Sequence, residues 1–265
     1  MVQSKLSNFI NIEYLGEGSQ ATVFAATHQT TNKNVAVKMF PASDLGCLRE
    51  IRLLKMIQKL KLKHSMQYIE TFCEKDKLFV VNELIKGQEL HDYLLDNKIV
   101  SYNALKTLCK KILVAVNELH ENNICHLDLK LENIMVDEKS EAVKLIDFGF
   151  AELTSDESNQ EKERMLNKYR GSIHYSAPEI VKNVPYDGKK ADIWSLGVLF
   201  YILIAKQFPF PGEDTSDVAS QILRNPITFS RQFQPQMIQL IESMTIRDPT
   251  KRPSIKYLLQ LPLFN

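Results

Sequence analysis

Residues 126–149 read HLDLKLENIMVDEKSEAVKLIDFG and hold two short apolar runs around a polar connection. The runs are residues 134–136 and 143–146, and the second contains the β-branched Val143 and Ile146. This pattern predicts an antiparallel hairpin, whose two open ends lie about 5 Å apart. Asn133 immediately precedes the first predicted strand, and Asp147 immediately follows the second. We therefore expect these two side chains to face the same place.

The residue types at this place suit a magnesium ion. An amide oxygen and a carboxylate are hard ligands, and Mg²⁺ takes one or two such protein ligands and completes its shell with phosphate and water. Asp128 lies on the loop that leads into the predicted hairpin, and Lys130 adds a positive charge beside it. An ordinary surface hairpin with polar flanks is the competing interpretation, and it would be preferred for residues 147–149 alone.

The complete pattern, H-x-D-x-K-x-x-x-N followed by D-F-G, resembles the catalytic loop and metal-binding motif of eukaryotic protein kinases. The resemblance implies that Asp128 orients a substrate hydroxyl and accepts its proton, and that Lys130 neutralises charge on the γ-phosphate of ATP. It also implies that Asn133 and Asp147 hold Mg²⁺. The lysine at 130 and the GSIHYSAPE segment at 171–179 resemble the corresponding parts of Ser/Thr kinases. The motifs taken together are most similar to those of the calmodulin-dependent and AMP-activated group.

The composition is that of an ordinary globular protein. The 265 residues, 44% hydrophobic and 25% charged, suffice for one large domain or two lobes sharing a cleft. The net charge of +1 gives no support for nucleic-acid or anionic-membrane binding. The four cysteines show no CxxC spacing, which argues against a zinc site and a disulfide framework and fits a reducing compartment.

The apolar segments favour a protein that is neither exported nor inserted in a membrane. The first 14 residues contain no apolar core of signal-peptide length. The longest apolar run, residues 196–205, is too short for a bilayer and favours a buried helix. We expect a monomer in the cytoplasm, with the nucleus as an alternative, and no nucleic-acid or membrane partner.

A glycine-rich segment lies near the start, between residues 9–15 and 22–26, which both have strand character. A strand follows the glycines, which excludes a Rossmann arrangement, and no Walker-type GK[ST] follows them. Glycine allows backbone N–H groups to approach phosphates closely, although a plain β-turn is the competing interpretation. Ala21 occupies the position where kinases usually carry a third glycine.

Lys38 and Glu50 match a second pair of kinase residues. Residues 35–38 read VAVK and resemble the strand lysine of V-A-I-K, although a lysine at a strand end is common. Residues 45–60 predict an amphipathic helix whose apolar stripe is Leu48, Ile51, Leu54 (or Leu53), Ile57 and Leu60. Glu50 adjoins the stripe and matches the helix-C glutamate that pairs with the lysine. The resemblance implies that Lys38 holds the α- and β-phosphates and that Glu50 steadies it.

The connection between the predicted lobes follows a buried strand at 78–81. By resemblance, backbone groups of Glu83 and Ile85 bond the adenine, and Asn82 stands at the back of the adenine pocket. The complete set of implied ATP contacts is Leu15, Gly16, Glu17, Gly18, Ser19, Gln20, Ala21, Thr22, Val23, Ala36, Lys38, Glu83, Ile85 and Met135.

The second half continues the motifs in the family's order. Residues 104–121 predict an amphipathic helix that delivers the chain to the catalytic loop. The polar residues 154–163 correspond to the activation segment, which ends at A-P-E, and 192–197 resemble the buried helix that anchors the large lobe. Arg252 is expected to pair with Glu179. Glu89 and Glu132 match acidic positions that often select a basic substrate residue, although both would serve equally as solvated carboxylates.

Two departures from the pattern agree with each other. Leu127 replaces the arginine that reads the phosphate on the activation segment, and Lys168 stands where the phosphorylated threonine is usual. We therefore hypothesise that activity does not need activation-segment phosphorylation of the common kind. Other hydroxyls near this position remain candidate sites: Thr154, Ser155, Ser158 and Ser172.

The sequence thus predicts an α+β, bilobal protein kinase fold within residues 1–265. A small antiparallel N-lobe with helix C (9–82) precedes a hinge (83–88) and a larger, mostly helical C-lobe (89–264). The expected activity is transfer of the ATP γ-phosphate, with Mg²⁺, to a Ser/Thr hydroxyl of a protein substrate. A pseudokinase scaffold and a small-molecule kinase are the alternatives. The catalytic residues present disfavour the first, and the A-P-E and D-x-W-S-x-G segments disfavour the second.

Overall fold

The structure is a computed structural model that describes residues 4–17, 21–44, 46–96, 101–137, 139–154, 165–168 and 170–264. The chain divides into two compact units. The first comprises Met1–Lys86 with Ile146–Gly149, and the second comprises Gly87–Leu145 with Phe150–Asn265. The boundary after Lys86 falls within the predicted hinge, while 146–149 belong to the first unit although they lie far along the chain.

The first unit is an antiparallel sheet with one long helix. The elements are β1 (Phe9–Glu17), β2 (Thr22–His28), β3 (Lys33–Pro41), α1 (Cys47–Leu60), β4 (Tyr68–Glu74) and β5 (Lys77–Glu83), with a 3-10 helix at Lys5–Asn8. The five strands lie in the order β1-β2-β3-β5-β4. The core of the sheet consists mainly of aromatic and β-branched residues, together with one alanine: Phe9, Ala26, Val35, Val37, Phe72, Phe79 and Val81. Phe72 stacks on Phe79 and Phe9 at ring-centroid distances of 5.0 and 5.8 Å.

Helix α1 confirms the predicted helix but corrects its buried face. Leu48 and Leu60 are 55% and 40% exposed, so they do not belong to the buried stripe. The buried residues are Cys47, Glu50, Ile51, Leu53, Leu54 and Ile57. The stripe is displaced because Glu50 turns inward to pair with Lys38 on β3. A polar residue at the centre of a helical face breaks the apolar periodicity from which the stripe was predicted.

The second unit is mostly helical. Its helices are α2 (Leu90–Leu95), α3 (Tyr102–Glu121), α4 (Pro178–Val181), α5 (Gly188–Ala205), α6 (Thr215–Arg224), α7 (Pro235–Met244) and α8 (Ile255–Leu258). Single 3-10 turns occur at Leu131–Asn133, Ile173–Tyr175, Pro249–Lys251 and Pro262–Phe264. Helix α3 confirms the predicted helix at 104–121 and begins two residues earlier, where the Ser101 side chain accepts a hydrogen bond from the Ala104 backbone N–H. Among the described residues, no helix is long and apolar enough to cross a membrane.

Helix α5 is the buried helix that the apolar run at 196–205 predicts. It is covered almost all round, which explains its lack of a polar face. The indole ring of Trp194 stacks on Phe210 at 6.0 Å. Asp192 is fully buried within this apolar surround, and a buried carboxylate needs hydrogen-bond donors.

Short strands position the ends of the catalytic loop. They are β6 (Gln88–Glu89), β7 (Ile124–Cys125), β8 (Ile134–Val136), β9 (Val143–Leu145) and β10 (Glu152–Leu153). Strands β8 and β9 form the predicted antiparallel hairpin, with Ile134 opposite Leu145. Strand β9 ends one residue before the predicted end at 146. Strand β10 pairs with β7, which directly precedes His126.

Candidate active site

An ionic cluster of three residues lies in the first unit. The Lys38 Nζ atom on β3 lies 2.9 and 3.1 Å from the two carboxylate oxygens of Glu50 on α1. The same ammonium lies 2.9 Å from Oδ1 of Asp147. One strand, one helix and the returning segment 146–149 thus place a lysine between two carboxylates, and we call this set the ionic cluster. Lys38 and Glu50 pair although they are only 12 residues apart in the sequence.

Burial and charge act in opposite directions within this cluster. Burial alone would lower the pKa of Lys38, but the negative charges of Glu50 and Asp147 outweigh it, so the pKa lies above its ordinary value. Lys38 therefore stays positively charged at neutral pH. Burial raises the pKa of the Glu50 carboxyl, and the positive charge of Lys38 opposes that rise. The positive charge of Lys38 therefore compensates the negative charge of the buried Glu50 carboxylate.

Asp147 is the accessible member of the cluster. Its side chain is 42% exposed, and its backbone has a positive φ of 58°. The Gly149 backbone N–H donates to its Oδ1 at 3.3 Å. This turn directs the carboxylate to Lys38 while leaving part of it open to an ion from solution.

The strands on both sides of the glycine-rich segment are where the sequence predicts them. Gly16 lies opposite Val23 and Glu17 lies opposite Thr22, so β1 and β2 form a hairpin across this segment. Leu15 is 52% exposed, and Ala21 is buried. Gly18, Ser19 and Gln20, which the sequence assigns to phosphate binding, lie outside the described residues.

The end of β5 presents the predicted adenine-binding groups. Ala36 pairs with Asn82 and Lys38 with Val80, which places Asn82 and Lys38 on the same face of the sheet. The Glu83 backbone N–H already donates to the Gln67 carbonyl at 2.9 Å. The Glu83 carbonyl is therefore the backbone group of this residue that suits an adenine amino group. Ile85 lies between β5 and β6.

A second cluster, the catalytic-loop cluster, surrounds Asp128 in the second unit. The buried carboxylate accepts hydrogen bonds from Asn133 Nδ2 at 2.9 Å and from both the backbone N–H and the Oγ of Ser172 at 3.1 Å. Lys130 Nζ lies 3.1 Å from its Oδ2. The cluster therefore brings Asp128, Lys130 and Asn133 together, and adds Ser172, for which the sequence suggested only a phosphorylation site.

The orientation of the Asn133 amide fits a metal ligand. Its Nδ2 atom donates to the backbone carbonyl of Asp128 at 2.8 Å as well as to the Asp128 carboxylate. With the nitrogen committed to these two acceptors, the amide oxygen is directed to the opposite side, where a cation would find a hard ligand. Met135 follows on β8 and is partly exposed.

Asp192, whose role the sequence did not reveal, fixes the backbone of the catalytic loop. Asp192 on α5 accepts hydrogen bonds from the backbone N–H groups of His126 and Leu127, both at 2.8 Å. Its Oδ2 also lies 2.9 Å from His120 Nε2. Leu127 has a positive φ of 64°, a strained conformation for leucine that these bonds offset. The D-x-W motif was the available signal, but its contact with the loop is tertiary.

Gly171 brings Ser172 to Asp128. Its φ is 80°, and a Cβ atom at this position would lie only 2.4 Å from the Leu127 carbonyl oxygen. A side chain is excluded here, and the absence of one lets the segment approach the catalytic loop closely.

Two predictions about neighbouring residues have different outcomes. The Glu179–Arg252 pair is confirmed as a buried double hydrogen bond with distances of 2.6 and 2.7 Å. Thr154 is a poor phosphorylation candidate because its hydroxyl is buried and donates to the Asn123 carbonyl at 3.2 Å. Ser155 and Ser158 lie outside the described residues.

The predicted residues thus fall into two groups in the structure. Lys38, Glu50 and Asp147 belong to the first unit, and Asp128, Lys130 and Asn133 belong to the second. The meeting of Asn133 and Asp147 stays a prediction, since they belong to different units.

A sheet unit with a Lys–Glu–Asp cluster and a helical unit with an Asp–Lys–Asn loop define the architecture of a protein kinase. Residues 9–264 match the family model described as Protein kinase domain. The chain therefore belongs to the protein kinase family.

The chain is similar to several named kinases. It is 32% identical to Sperm motility kinase 2B of Mus musculus over 259 residues, which are 97% of this chain and 51% of that protein. It is 33% identical to Serine/threonine-protein kinase kin-29 of Caenorhabditis elegans over 249 residues, 93% of this chain and 29% of the relative. Serine/threonine-protein kinase SIK1 of Mus musculus is 32% identical over 252 residues, 93% of this chain and 31% of the relative. The chain spans about half the length of these relatives, or less.

Proposed function

We propose that this protein is an ATP-dependent serine/threonine protein kinase that transfers the γ-phosphoryl group of ATP to a Ser or Thr hydroxyl of a protein substrate. The observation that carries the proposal is the buried Asp128 carboxylate, which Asn133, Ser172 and Lys130 hold in a fixed orientation. Phosphoryl transfer depends mainly on positioning and charge neutralisation, and this arrangement supplies both.

The bond changes assign a role to each residue of the catalytic-loop cluster. The substrate hydroxyl oxygen forms a bond to the γ-phosphorus while the bond from that phosphorus to the β–γ bridging oxygen breaks. Asp128 orients the hydroxyl and accepts its proton, and ADP leaves with the electron pair of the broken bond. Lys130, which lies beside Asp128, offsets the negative charge on the transferring group.

The ionic cluster serves the nucleotide. Lys38 holds the α- and β-phosphates, and Glu50 fixes the direction of its ammonium group. Asp147 carries a carboxylate and Asn133 an amide oxygen, both ligands suited to Mg²⁺, and these residues would hold it. The ion supplies charge neutralisation on the phosphates when bound.

The adenine and phosphate contacts of the proposal follow the family pattern. The Glu83 carbonyl and the Ile85 backbone bond the adenine, and the hairpin of β1 and β2 covers the phosphates. The pairing of β1 with β2 on both sides of the glycine-rich segment and the engagement of the Glu83 backbone N–H by the Gln67 carbonyl support these assignments.

Glu89 gives limited support for a substrate with a basic residue. Burial, and then the negative charges of Asp92 and Glu132, raise the pKa of the Glu89 carboxyl. A bound arginine would relieve this repulsion and favour the ionised form. Matched peptides with Arg or Gln upstream of the acceptor test the preference, and equal kcat/KM values would show that these carboxylates are only solvated.

We also propose that the protein acts as a monomer in the cytoplasm, with the nucleus as an alternative, in protein-phosphorylation signalling. The four free cysteines, three of them buried, support a reducing compartment. Sedimentation of the purified protein and imaging of a tagged copy test these two statements.

A peptide library with ATP and Mg²⁺ tests the function. We expect phosphate on Ser and Thr peptides with the wild-type protein and none with Asp128→Asn. A pseudokinase scaffold would give no transfer with either protein. A small-molecule kinase would consume ATP with a metabolite acceptor and leave every peptide unmodified.

A further inference from the structure

Arg170 and Glu152 form an ion pair that the catalytic residues do not include. Arg170 Nη2 lies 2.5 Å from Glu152 Oε1, and the two side chains are only 7% and 15% exposed. Glu152 opens β10, and Arg170 directly precedes Gly171. The pair therefore joins a short strand to the segment that returns to the catalytic loop.

The Glu152 side of the pair is fixed to the start of the catalytic loop. Glu152 lies opposite Cys125 in the pairing of β10 with β7, and Cys125 is followed by His126. The Thr154 backbone N–H adds a bond to the Asn123 carbonyl at 2.8 Å. Backbone hydrogen bonds thus fix the position of Glu152 next to β7, the strand that directly precedes the catalytic loop.

The Arg170 side of the pair is fixed to the catalytic carboxylate. Ser172, two residues after Arg170, donates to Asp128 from both its backbone N–H and its Oγ. Gly171 between them packs against the Leu127 carbonyl, where no side chain fits. A displacement of Arg170 would therefore move Ser172 away from Asp128.

These contacts form a closed path: β7, the catalytic loop with Asp128, Ser172, Arg170, Glu152 and back to β7 through β10. We infer that the Glu152–Arg170 ion pair is a positioning pair that holds Ser172 against Asp128 without a phosphate on the activation segment. This inference rests on the proposed kinase function, for which the ion pair would hold the catalytic-loop cluster in its active geometry.

The surroundings of the pair agree with this role. Leu127, at the position of the phosphate-reading arginine, is a buried apolar residue. Lys168 cannot carry a Ser/Thr phosphate, and its backbone carbonyl accepts a hydrogen bond from Tyr186 Oη at 2.8 Å. The carboxylate of Glu152 thus supplies the negative charge that pairs with Arg170. A buried pair of this kind fixes geometry more than it adds stability, because both charges lose solvation.

The test uses phosphatase-treated full-length protein and the variants Glu152→Gln and Arg170→Gln. We expect kcat for a Ser/Thr peptide to fall by about tenfold or more in each, because Asp128 loses its fixed partner. The KM for ATP and the nucleotide-induced rise in melting temperature should stay within about twofold of wild type, since the ionic cluster is untouched. The double variant Glu152→Arg/Arg170→Glu restores the pair with its charges exchanged and should recover most of kcat.

A matched control comes from an exposed ion pair of the same unit. Lys111 Nζ lies 3.1 Å from Glu141 Oε2, with side chains 33% and 60% exposed, and Lys111→Gln should leave kcat unchanged. If Glu152→Gln and Arg170→Gln keep wild-type kcat, the positioning role is wrong while the kinase function stands. If they lose the nucleotide response as well and the exchanged pair restores nothing, the pair is general scaffolding and the inference also fails. Wild-type protein that phosphorylates peptides only before phosphatase treatment would overturn the inference alone, and wild-type protein that phosphorylates no peptide before or after treatment would overturn both.

Discussion

The ionic cluster and the catalytic-loop cluster hold their functional side chains in different ways. In the ionic cluster, a strand and a helix bring opposite charges together, and the lysine compensates a buried glutamate. In the catalytic-loop cluster, a carboxylate is oriented by an amide, a backbone N–H and a hydroxyl as well as by Lys130. Charge compensation dominates the first cluster and orientation dominates the second. Substitutions in the first cluster should therefore lower both stability and nucleotide binding, whereas substitutions in the second should act mainly on catalytic rate.

The largest expected effect is on rate in the catalytic-loop cluster. Asp128→Asn should lower kcat by roughly 10²–10⁴, because the amide cannot accept the hydroxyl proton. The free energy of unfolding should fall by about 1–3 kcal/mol, since an amide oxygen still accepts from Ser172 but the amide NH2 cannot accept from Asn133 Nδ2. Steady-state kinetics and urea unfolding measure the two values. A large stability loss with little change in kcat would contradict the comparison.

In the ionic cluster, a substitution should lower the free energy of unfolding more than Asp128→Asn does in the catalytic-loop cluster. Lys38→Met leaves Glu50 buried without its cation and should lower the free energy of unfolding by about 3 kcal/mol. The double variant Lys38→Met/Glu50→Gln removes the uncompensated charge, so it should recover most of that stability and none of the activity. Urea unfolding of the wild type and both variants decides the point. A double variant as unstable as the single one would show that charge compensation is not the cause.

A smaller effect is expected at Ser172. Ser172→Ala removes the hydroxyl bond to Asp128 and keeps the backbone bond, so kcat should fall by about tenfold at nearly unchanged stability. Ser172→Thr retains the hydroxyl and serves as the matched control. An alanine variant with wild-type kcat would show that the backbone bond alone orients the carboxylate.

The smallest effect concerns pH and the ionic cluster. The pKa of Glu50 is raised, so Glu50 takes up a proton at a higher pH than an exposed glutamate as the solution is acidified. Its hold on Lys38 is then lost, and kcat/KM for ATP should decline. The advantage of wild type over Glu50→Gln should therefore shrink as pH falls through that raised pKa. A ratio that stays constant down to the ordinary glutamate pKa would contradict this direction.

Motif spacing predicted the groups of both clusters, but it predicted their surroundings unevenly. Lys38, Glu50, Asp128 and Asn133 could be named because strand and helix patterns and the loop motif are local in sequence. The buried face of α1 was misplaced because a polar residue, Glu50, occupies its centre. The spacing of apolar residues predicts only the apolar part of a buried face, so it cannot reveal a charged residue that is buried there.

The missed contacts depend on backbone conformations that composition does not reveal. Leu127 has a positive φ, and its N–H reaches Asp192 on a helix 65 residues further along the chain. Ser172 reaches Asp128 only because Gly171 fits against a carbonyl. Such contacts join segments distant in sequence, so no local pattern predicts them.

Single-turnover phosphoryl transfer, measured beside ATP–Mg²⁺ binding for wild type, Asp128→Asn and Lys38→Met, separates the roles of the two clusters. We expect Asp128→Asn to bind nucleotide like wild type and to transfer almost no phosphate to a Ser/Thr peptide, and we expect Lys38→Met to be impaired already in nucleotide binding. Wild-type transfer by Asp128→Asn would contradict these roles.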